Sequence, residues 1–293
     1  MNDFNFEASV VALGAFDGLH LAHRKIMDKT KEYAKANNLA SGVLLFDKLP
    51  SEVFSRSAKC IMSFSDKKEL LSDMDFLYVQ EFSEEFQNLN GEEFAEFLAL
   101  KLKAKAVCAG FNYRFGKNAA CDISDLERFG EKYGFLVLKT EELKVDGKTV
   151  SSTYIRELIE AGEMQEAAKL LGRIFFMTGE VLSGFHLGRT FGYPTVNLSY
   201  EKNSVLPKHG VYKGEVEVLG KRYRAVINVG KRPTFDRDDI TIESFLLDFE
   251  GDLYGKKIRV YFEEFLRPEI KFKNAEELAK QIESDIKKAK KGF

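Results

Sequence analysis

The 293-residue sequence has no tryptophan, four histidines and three cysteines. Cys60, Cys108 and Cys121 lie far apart with no CxxC spacing. Such an odd, scattered set reads as small apolar fillers in a reducing compartment. Charge of one sign is also missing: 44 Lys plus Arg stand against 46 Asp plus Glu, a formal net charge of -2. That balance argues against nucleic acid as the main partner, and the basic stretch 287–293 is short enough to be a solvated helix end. The opening MNDFNFEASVV carries acids where a signal peptide needs positive charge. No apolar run approaches the roughly 18 residues of a membrane span, and there is no internal repeat or low-complexity stretch. These absences predict a cytoplasmic protein with small-molecule partners, no nucleic acid and no membrane. They leave the oligomeric state open.

What is present is an ordinary globular composition, 44% hydrophobic, long enough for two domains of ~100–200 residues. Residues 1–172 alternate short apolar runs with helical segments. Strands are expected at 8–15, 40–46, 75–82, 105–111 and 134–140, with helices over Leu21 to Asn37, from Asn90 with Glu93 in capping-box position, and from Asp122 to Tyr133. That alternation predicts a doubly wound parallel sheet. Two short helices, 152–162 and 163–172, close this half. After Gly172 the grammar changes to strands joined by glycine turns, including Leu219-Gly220-Lys221, which predicts an antiparallel barrel or sandwich. A final helix is expected near Asn274, with Glu277 in capping-box position.

The sharpest local pattern is GAFDGLHLAH, residues 14–23, where the first strand meets the first helix. Gly14 and Gly18 let backbone approach a nucleotide, and a helix start offers free amides to phosphate. His20 and His23 are three apart and project from neighbouring positions on the helix. The bland alternative is a glycine-rich turn with two incidental histidines. Further along, SSTYIRELI (151–159) offers Ser152 and Thr153 as helix-capping hydroxyls and Arg156 as a positive fork. Gly110 to Lys117 superficially suggests a P-loop, but its spacing is wrong and Asn118 replaces Ser or Thr, so no Walker A is present. In SGFHLGRTFGYPTVNL (183–198), Gly184, Gly188 and Gly192 can fold over phosphates. Thr195 and Asn197, two apart in a strand, share a face and offer hard oxygens to magnesium. Alone, that segment reads as a loop entering a strand with ordinary polar positions.

Taken together, these motifs resemble the prokaryotic bifunctional riboflavin kinase/FMN adenylyltransferase family. GAFDGLHLAH is similar to its HxGH-type nucleotidyltransferase motif, with Ala22 where glycine is usual. AGFNYRFGKN (109–118) and SSTYIRELI are similar to its loop and helix signatures. After the second strand, Phe46-Asp47-Lys48-Leu49-Pro50 departs from a family pattern that carries a histidine. The stretch 183–198, GVY (210–212), NVGKRPTF (228–235), IESFLLDFEGDLYG (242–255) and FLRPEIKF (265–272) resemble riboflavin kinases in order. The resemblance implies a Rossmann-like nucleotidyltransferase domain over 1–172 and an all-β antiparallel barrel with a C-terminal helix over 173–293. ATP would be a co-substrate in both, with riboflavin, FMN and FAD as substrates and products and Mg2+ as the metal. It further implies that Gly14, Phe16, Asp17, Gly18, His20, His23, Ser152, Thr153 and Arg156 bind ATP in the first half. Asn112 and Arg114 would meet flavin or nucleotide there. In the second half Gly184, Gly188, Arg189, Gly192, Thr195 and Asn197 would bind ATP, the last two through the metal. Glu243 would be the catalytic base and Arg267 would lie by the flavin. A monofunctional kinase with a degenerate first half, or a non-catalytic flavin sensor, are the alternatives. The 26 phenylalanines read mostly as core.

Overall fold

The structure, a computed structural model, describes residues 6–49, 59–182, 195–231 and 240–290. Gly184, Gly188, Arg189 and Gly192 lie outside the described residues. The chain forms two compact units, one of residues 1–60 and 64–152 and one of 61–63 and 153–293.

In the first unit five parallel strands, β1 (Ser9–Leu13), β2 (Ala40–Phe46), β3 (Phe76–Gln80), β4 (Ala104–Gly110) and β5 (Leu136–Thr140), pair in the order β3-β2-β1-β4-β5. Side chains alternate across β1. Val11 and Leu13 pack with Leu44, Phe94, Leu98 and Leu126 on one face, while Val10 packs with Ala34 and Ala106 on the other. Both faces are therefore apolar, as a doubly wound sheet requires. Helix α1 (Leu21–Asn37) ends at Asn38, which takes the left-handed conformation at φ 54°. Between β2 and β4 lie α2 (Phe64–Leu70), α3 (Glu84–Gln87) and α4 (Gly91–Leu100). Asn90 caps α4 in a reciprocal box with Glu93. Asp122 and Asp125 do the same for α5 (Ile123–Tyr133), which Gly134 ends at φ 77°. A hairpin of two-residue strands, β6 (Lys144–Val145) and β7 (Lys148–Thr149), follows; sequence periodicity carries no signal for elements so short.

The second unit begins with α6 (Ser152–Ala161), from its second residue, and α7 (Met164–Leu171). Composition shifts only after Gly172, yet α7 packs on strands of this unit through Ala167, Leu170 and Leu171, all buried. The six strands are β8 (Phe175–Leu182), β9 (Thr195–Leu198), β10 (Gly210–Val218), β11 (Lys221–Lys231), β12 (Ile240–Leu246) and β13 (Lys257–Arg267). They close into a barrel in the order β10-β11-β12-β9-β8-β13. Closure leaves no edge strand to protect. The β10–β11 hairpin turns at Leu219 (φ 52°) and Gly220 (φ 75°), two successive positive φ values that suit a primed turn. Inward residues Ile227, Val229, Ile242, Val260 and Phe262 are fully buried. Helix α8 (Ala275–Lys290) starts at Asn274, whose side chain accepts from the Glu277 amide at 2.9 Å. The Glu277 carboxylate accepts from the Lys273 amide rather than from the cap residue itself.

Candidate active sites

In the first unit the chain leaves β1 and folds into a strained loop before α1. Phe16 and Leu19 adopt positive φ, 51° and 43°, on either side of Asp17 and Gly18 (φ 78°). Left-handed conformations of non-glycine residues cost about 1–3 kcal/mol each and persist only where surroundings hold them. Burial supplies that hold, because Phe16, Asp17 and His20 are all within 4% of full burial. His20 is the N-cap of α1: its Nδ1 accepts from the His23 amide at 3.4 Å, which leaves Nε2 to carry the proton of the neutral ring. The two imidazoles stack with centroids 3.6 Å apart, and Phe16 meets His23 edge-on at 5.3 Å.

The Ser152 hydroxyl donates to the carbonyl of Asp17 at 2.9 Å, joining two motifs 135 residues apart. Next to Ser152, Thr153 is exposed, and Arg156 reaches back to the Thr153 hydroxyl at 3.4 Å.

A cavity of about 480 Å³ opens here, lined among others by Gly14, His20, His23, Asn112, Arg114 and Ser152. It lies beyond the carboxyl ends of β1 and β4, where strand order reverses. That switch point is where open parallel sheets bind ligands. Phe46, Phe82 and Phe86 line the cavity too and pack on one another at 5.0–6.3 Å. The cavity thus pairs polar donors with an aromatic wall, a combination suited to a ring system bearing phosphates. Arg114 stays largely exposed, 3.9 Å from the Asp122 carboxylate. Burial pushes the Tyr113 phenol up, so it remains a neutral donor. After β2, Asp47 accepts from the amides of Lys48 (2.9 Å) and Phe82 (2.8 Å). This turn therefore keeps its anchor although Lys48 and Leu49 depart from the family pattern.

In the second unit, strand register assembles another polar group. Asn228, Glu243 and Asn197 stand directly opposite one another across β11, β12 and β9. Opposed residues share a face, with Cβ atoms about 4.5–5.5 Å apart. The adjacent row on that face is Lys213, Val226, Phe245 and Thr195. Thr195, Asn197 and Glu243, nearly fifty residues apart in sequence, therefore form one patch outside the barrel core. Asn197 is buried, and Thr195, Glu243 and Asn228 are half-buried. At the row's far end the Lys213 ammonium lies 3.7 Å from the Glu263 carboxylate, whose pKa burial raises. The hydroxyl and amide oxygens of Thr195 and Asn197 are hard donors of the kind a magnesium–nucleotide accepts. Among the described residues no group of three or more His, Cys, Asp or Glu gathers as a metal cluster. Two neutral oxygens fit an ion held chiefly by phosphates.

Arg267 ends β13 and clamps Asp285 of α8. Its Nε and Nη2 donate to both carboxylate oxygens at 2.8–3.2 Å, and Nη1 donates to the Pro268 carbonyl at 3.0 Å. With Asp285 at 1% exposure, this guanidinium serves as a strut between strand and helix. Two polar residues at these sites were not singled out from sequence. Asn228 lies within the NVGKRPTF segment, but its place opposite Glu243 depends on strand register, which alternation within one strand does not fix. Lys67, whose ammonium reaches the Ala15 carbonyl at 3.3 Å, has no local sequence signal.

The fold and sites define a two-part nucleotide-handling protein, a doubly wound nucleotidyltransferase-like unit with a kinase-like barrel. Family comparison matches residues 3–154 to FAD synthetase and residues 171–293 to riboflavin kinase. The chain is 34% identical to the bifunctional riboflavin kinase/FMN adenylyltransferase of Listeria monocytogenes over 282 residues, covering 94% of this chain and 90% of that one. It is 33% identical to the Bacillus subtilis protein of that name (97% and 92% covered) and 33% identical to that of Escherichia coli K12 (98% and 93%). The chain belongs to the bifunctional riboflavin kinase/FMN adenylyltransferase family. A crystal structure described as a macrolide-efflux protein from Streptococcus pneumoniae shares its fold with a TM-score of 0.88 and 31% identity, over 98% of this chain and 95% of that one. Among the described residues no helix is long and apolar enough to cross a membrane.

Proposed function

We propose that this chain makes flavin cofactors in two ATP-dependent steps, riboflavin to FMN in residues 173–293 and FMN to FAD in residues 1–172. In the first step the riboflavin 5'-hydroxyl oxygen attacks the γ-phosphorus of ATP. Glu243 accepts the hydroxyl proton as the new P–O bond forms, and the bond to ADP breaks. Asn197, opposite Glu243, and Thr195 would hold a Mg2+ on the nucleotide. When bound, that ion neutralises charge on the phosphates. Gly184, Gly188, Arg189 and Gly192 are the residues proposed to cover those phosphates. Arg267, which braces β13 against α8 through Asp285, is the residue proposed to lie by the flavin.

In the second step an FMN phosphate oxygen attacks the α-phosphorus of ATP, and pyrophosphate leaves. The nucleophile is already ionised, so this site needs positioning and charge stabilisation rather than a base. The loop amides from Gly14 to Gly18, with Phe16 and Asp17 fixing its shape, would cradle ATP phosphates, and His20 and His23 would donate to the departing pyrophosphate. Ser152 completes that set within the unit, and the family resemblance adds Thr153 and Arg156 as ATP-binding residues. Asn112 and Arg114 orient FMN against Phe46, Phe82 and Phe86. The cytoplasm, which supplies ATP and keeps scattered thiols reduced, is the compartment this chemistry asks for. Burial raises the Cys108 thiol to about 11, which suits an inert filler.

The observation that carries this reading is the meeting of remote motifs in each unit. Ser152 bonds the Asp17 carbonyl in one, and Glu243 stands opposite Asn197 in the other. Incubation with riboflavin, ATP and Mg2+, followed by separation of riboflavin, FMN and FAD, tests it. FMN and FAD should accumulate in sequence. FMN without FAD would leave a monofunctional kinase, and neither product would leave a flavin-binding protein.

A further inference from the structure

Helix α2 buries two ionisable residues, Asp66 and Lys67, at 2% and 3% exposure, while Leu70 stands 37% exposed. Lysine and aspartate are rarely buried so completely, because removing an ionised group from water is costly. The Lys67 ammonium donates to the carbonyl of Ala15 at 3.3 Å. Ala15 and Gly14 line the first-unit cavity, and the next residue, Phe16, is the first of the left-handed positions that shape the loop. The lysine therefore holds the loop by its carbonyl side, from the protein interior.

In a trans peptide the N–H points opposite to the C=O, so an inward Ala15 carbonyl turns the Phe16 amide, one of the loop's amides, the other way. A buried cation behind those amides also adds to the positive potential that the helix start presents to phosphate. We propose that Lys67 is a positioning residue for adenylyl transfer. It fixes the Gly14–Gly18 loop in the conformation that receives the ATP triphosphate and biases that loop toward the charge of the departing pyrophosphate. The proposal rests on the adenylyl-transfer reading of this cavity. It assigns Lys67 no proton transfer and no contact with the reacting atoms.

A purely structural lysine predicts something different. Buried ions can often be replaced by apolar residues of similar volume with little loss of stability. Under that reading Lys67→Met would leave turnover intact. The test uses the full chain with Lys67→Met and Lys67→Arg. FAD formation is measured from supplied FMN, FMN formation from riboflavin, and pyrophosphate inhibition of FAD formation in both variants and wild type.

A loop displaced by about 1 Å can cost on the order of 10²-fold in rate. Lys67→Met should therefore lower kcat for FAD formation by about 10- to 100-fold, with KM for FMN within a few-fold of wild type. The pyrophosphate inhibition constant should rise by a similar factor, because that ligand reads the loop and its charge directly. Riboflavin phosphorylation should be unchanged and reports that the chain is folded. Lys67→Arg, which keeps charge and donors, should recover FAD formation to within a few-fold.

Retention of FAD turnover and of pyrophosphate inhibition in Lys67→Met overturns the proposal. If Lys67→Met fails to fold, Lys67→Arg decides: a folded arginine variant with wild-type pyrophosphate inhibition supports the proposal, and one with weakened inhibition overturns it. Wild type that makes no FAD would instead remove the adenylyl-transfer reading, so the two failures are distinguishable.

Discussion

Ser152→Ala removes one oxygen and with it the bond that ties the start of α6 to the strained loop. The Ser152 hydroxyl meets the Asp17 carbonyl at 2.9 Å, and Asp17 is 3% exposed. Leaving a buried acceptor unsatisfied costs about 1–3 kcal/mol. The neighbouring positions Phe16 and Leu19 hold positive φ, so the loop has stored strain to release once the bond is gone. If that cost falls on the catalytically competent loop, it translates to about a 5- to 150-fold loss in kcat/KM for FAD formation. The assay is FAD produced from FMN and ATP at subsaturating ATP, run beside FMN produced from riboflavin. The second activity should be unchanged, because Thr195, Asn197 and Glu243 belong to the other unit. FAD formation within two-fold of wild type would show that the bond contributes nothing to the competent loop. Parallel loss of both activities would show a folding defect instead.

In the barrel, Glu243→Gln keeps the side-chain shape but removes the proposed proton acceptor. FMN formation should fall by ~10²–10⁴-fold while FAD formation from FMN survives, and separate assays from riboflavin and from FMN check this. Thr195→Ala or Asn197→Ala should raise the Mg2+ concentration needed for half-maximal FMN formation and leave the FAD step nearly unchanged, as a Mg2+ titration of each activity would show. Tyr261→Phe removes a hydroxyl that donates to the Glu217 carboxylate at 2.8 Å, the leading cause of that carboxyl's lowered pKa, ahead of Arg222. A carboxyl depressed in the folded state stabilises above its unfolded pKa and loses that contribution as pH falls. Tyr261→Phe should therefore cost about 1 kcal/mol at pH 7, and thermal melts of the two proteins should converge as pH falls below the ordinary carboxylate range and through the lowered folded pKa of Glu217.

Much of this architecture is written in local chemistry. Asn90 with Glu93, Asp122, Gly134 and Leu219-Gly220 each occupy the cap or turn that their type dictates, because those preferences are set within four residues. Capping alone did not reveal which unit α6 and α7 join. Their apolar faces, with Ile155, Leu158, Ile159, Leu170 and Leu171 buried, are amphipathic in the same way whichever surface they meet. Composition marks the change at Gly172, whereas packing marks it twenty residues earlier. The grouping of candidate residues was legible where they share a segment, as with the stacked His20 and His23 or Thr195 and Asn197 on one strand. The partnership of Glu243 with Asn228 depends on strand register, which periodicity specifies only to a face and not to a neighbour. Lys67 was out of reach for a different reason. A charged residue in a short helix reads as solvated, and only its neighbours in space show it buried.

The two sites differ in the way their nucleophiles demand. A sugar-like hydroxyl must lose a proton as it attacks, and the acceptor proposed for it, Glu243, stands opposite Asn197 and Asn228 on the neighbouring strands. Those amides can hydrogen-bond a carboxylate without neutralising it, which keeps it a competent acceptor. A phosphate monoester arrives already ionised, and a carboxylate beside it would repel the attacking group. The loop after β1, proposed to receive those phosphates, carries groups of the other kind: a helix start capped by His20, a second imidazole at His23, and the Lys67 ammonium on the Ala15 carbonyl. Asp17 sits within that loop, but it is 3% exposed and its carbonyl is engaged by Ser152. Exchanging the two chemistries between the units would thus require reversing the sign of each site, and no single substitution in either loop would achieve it.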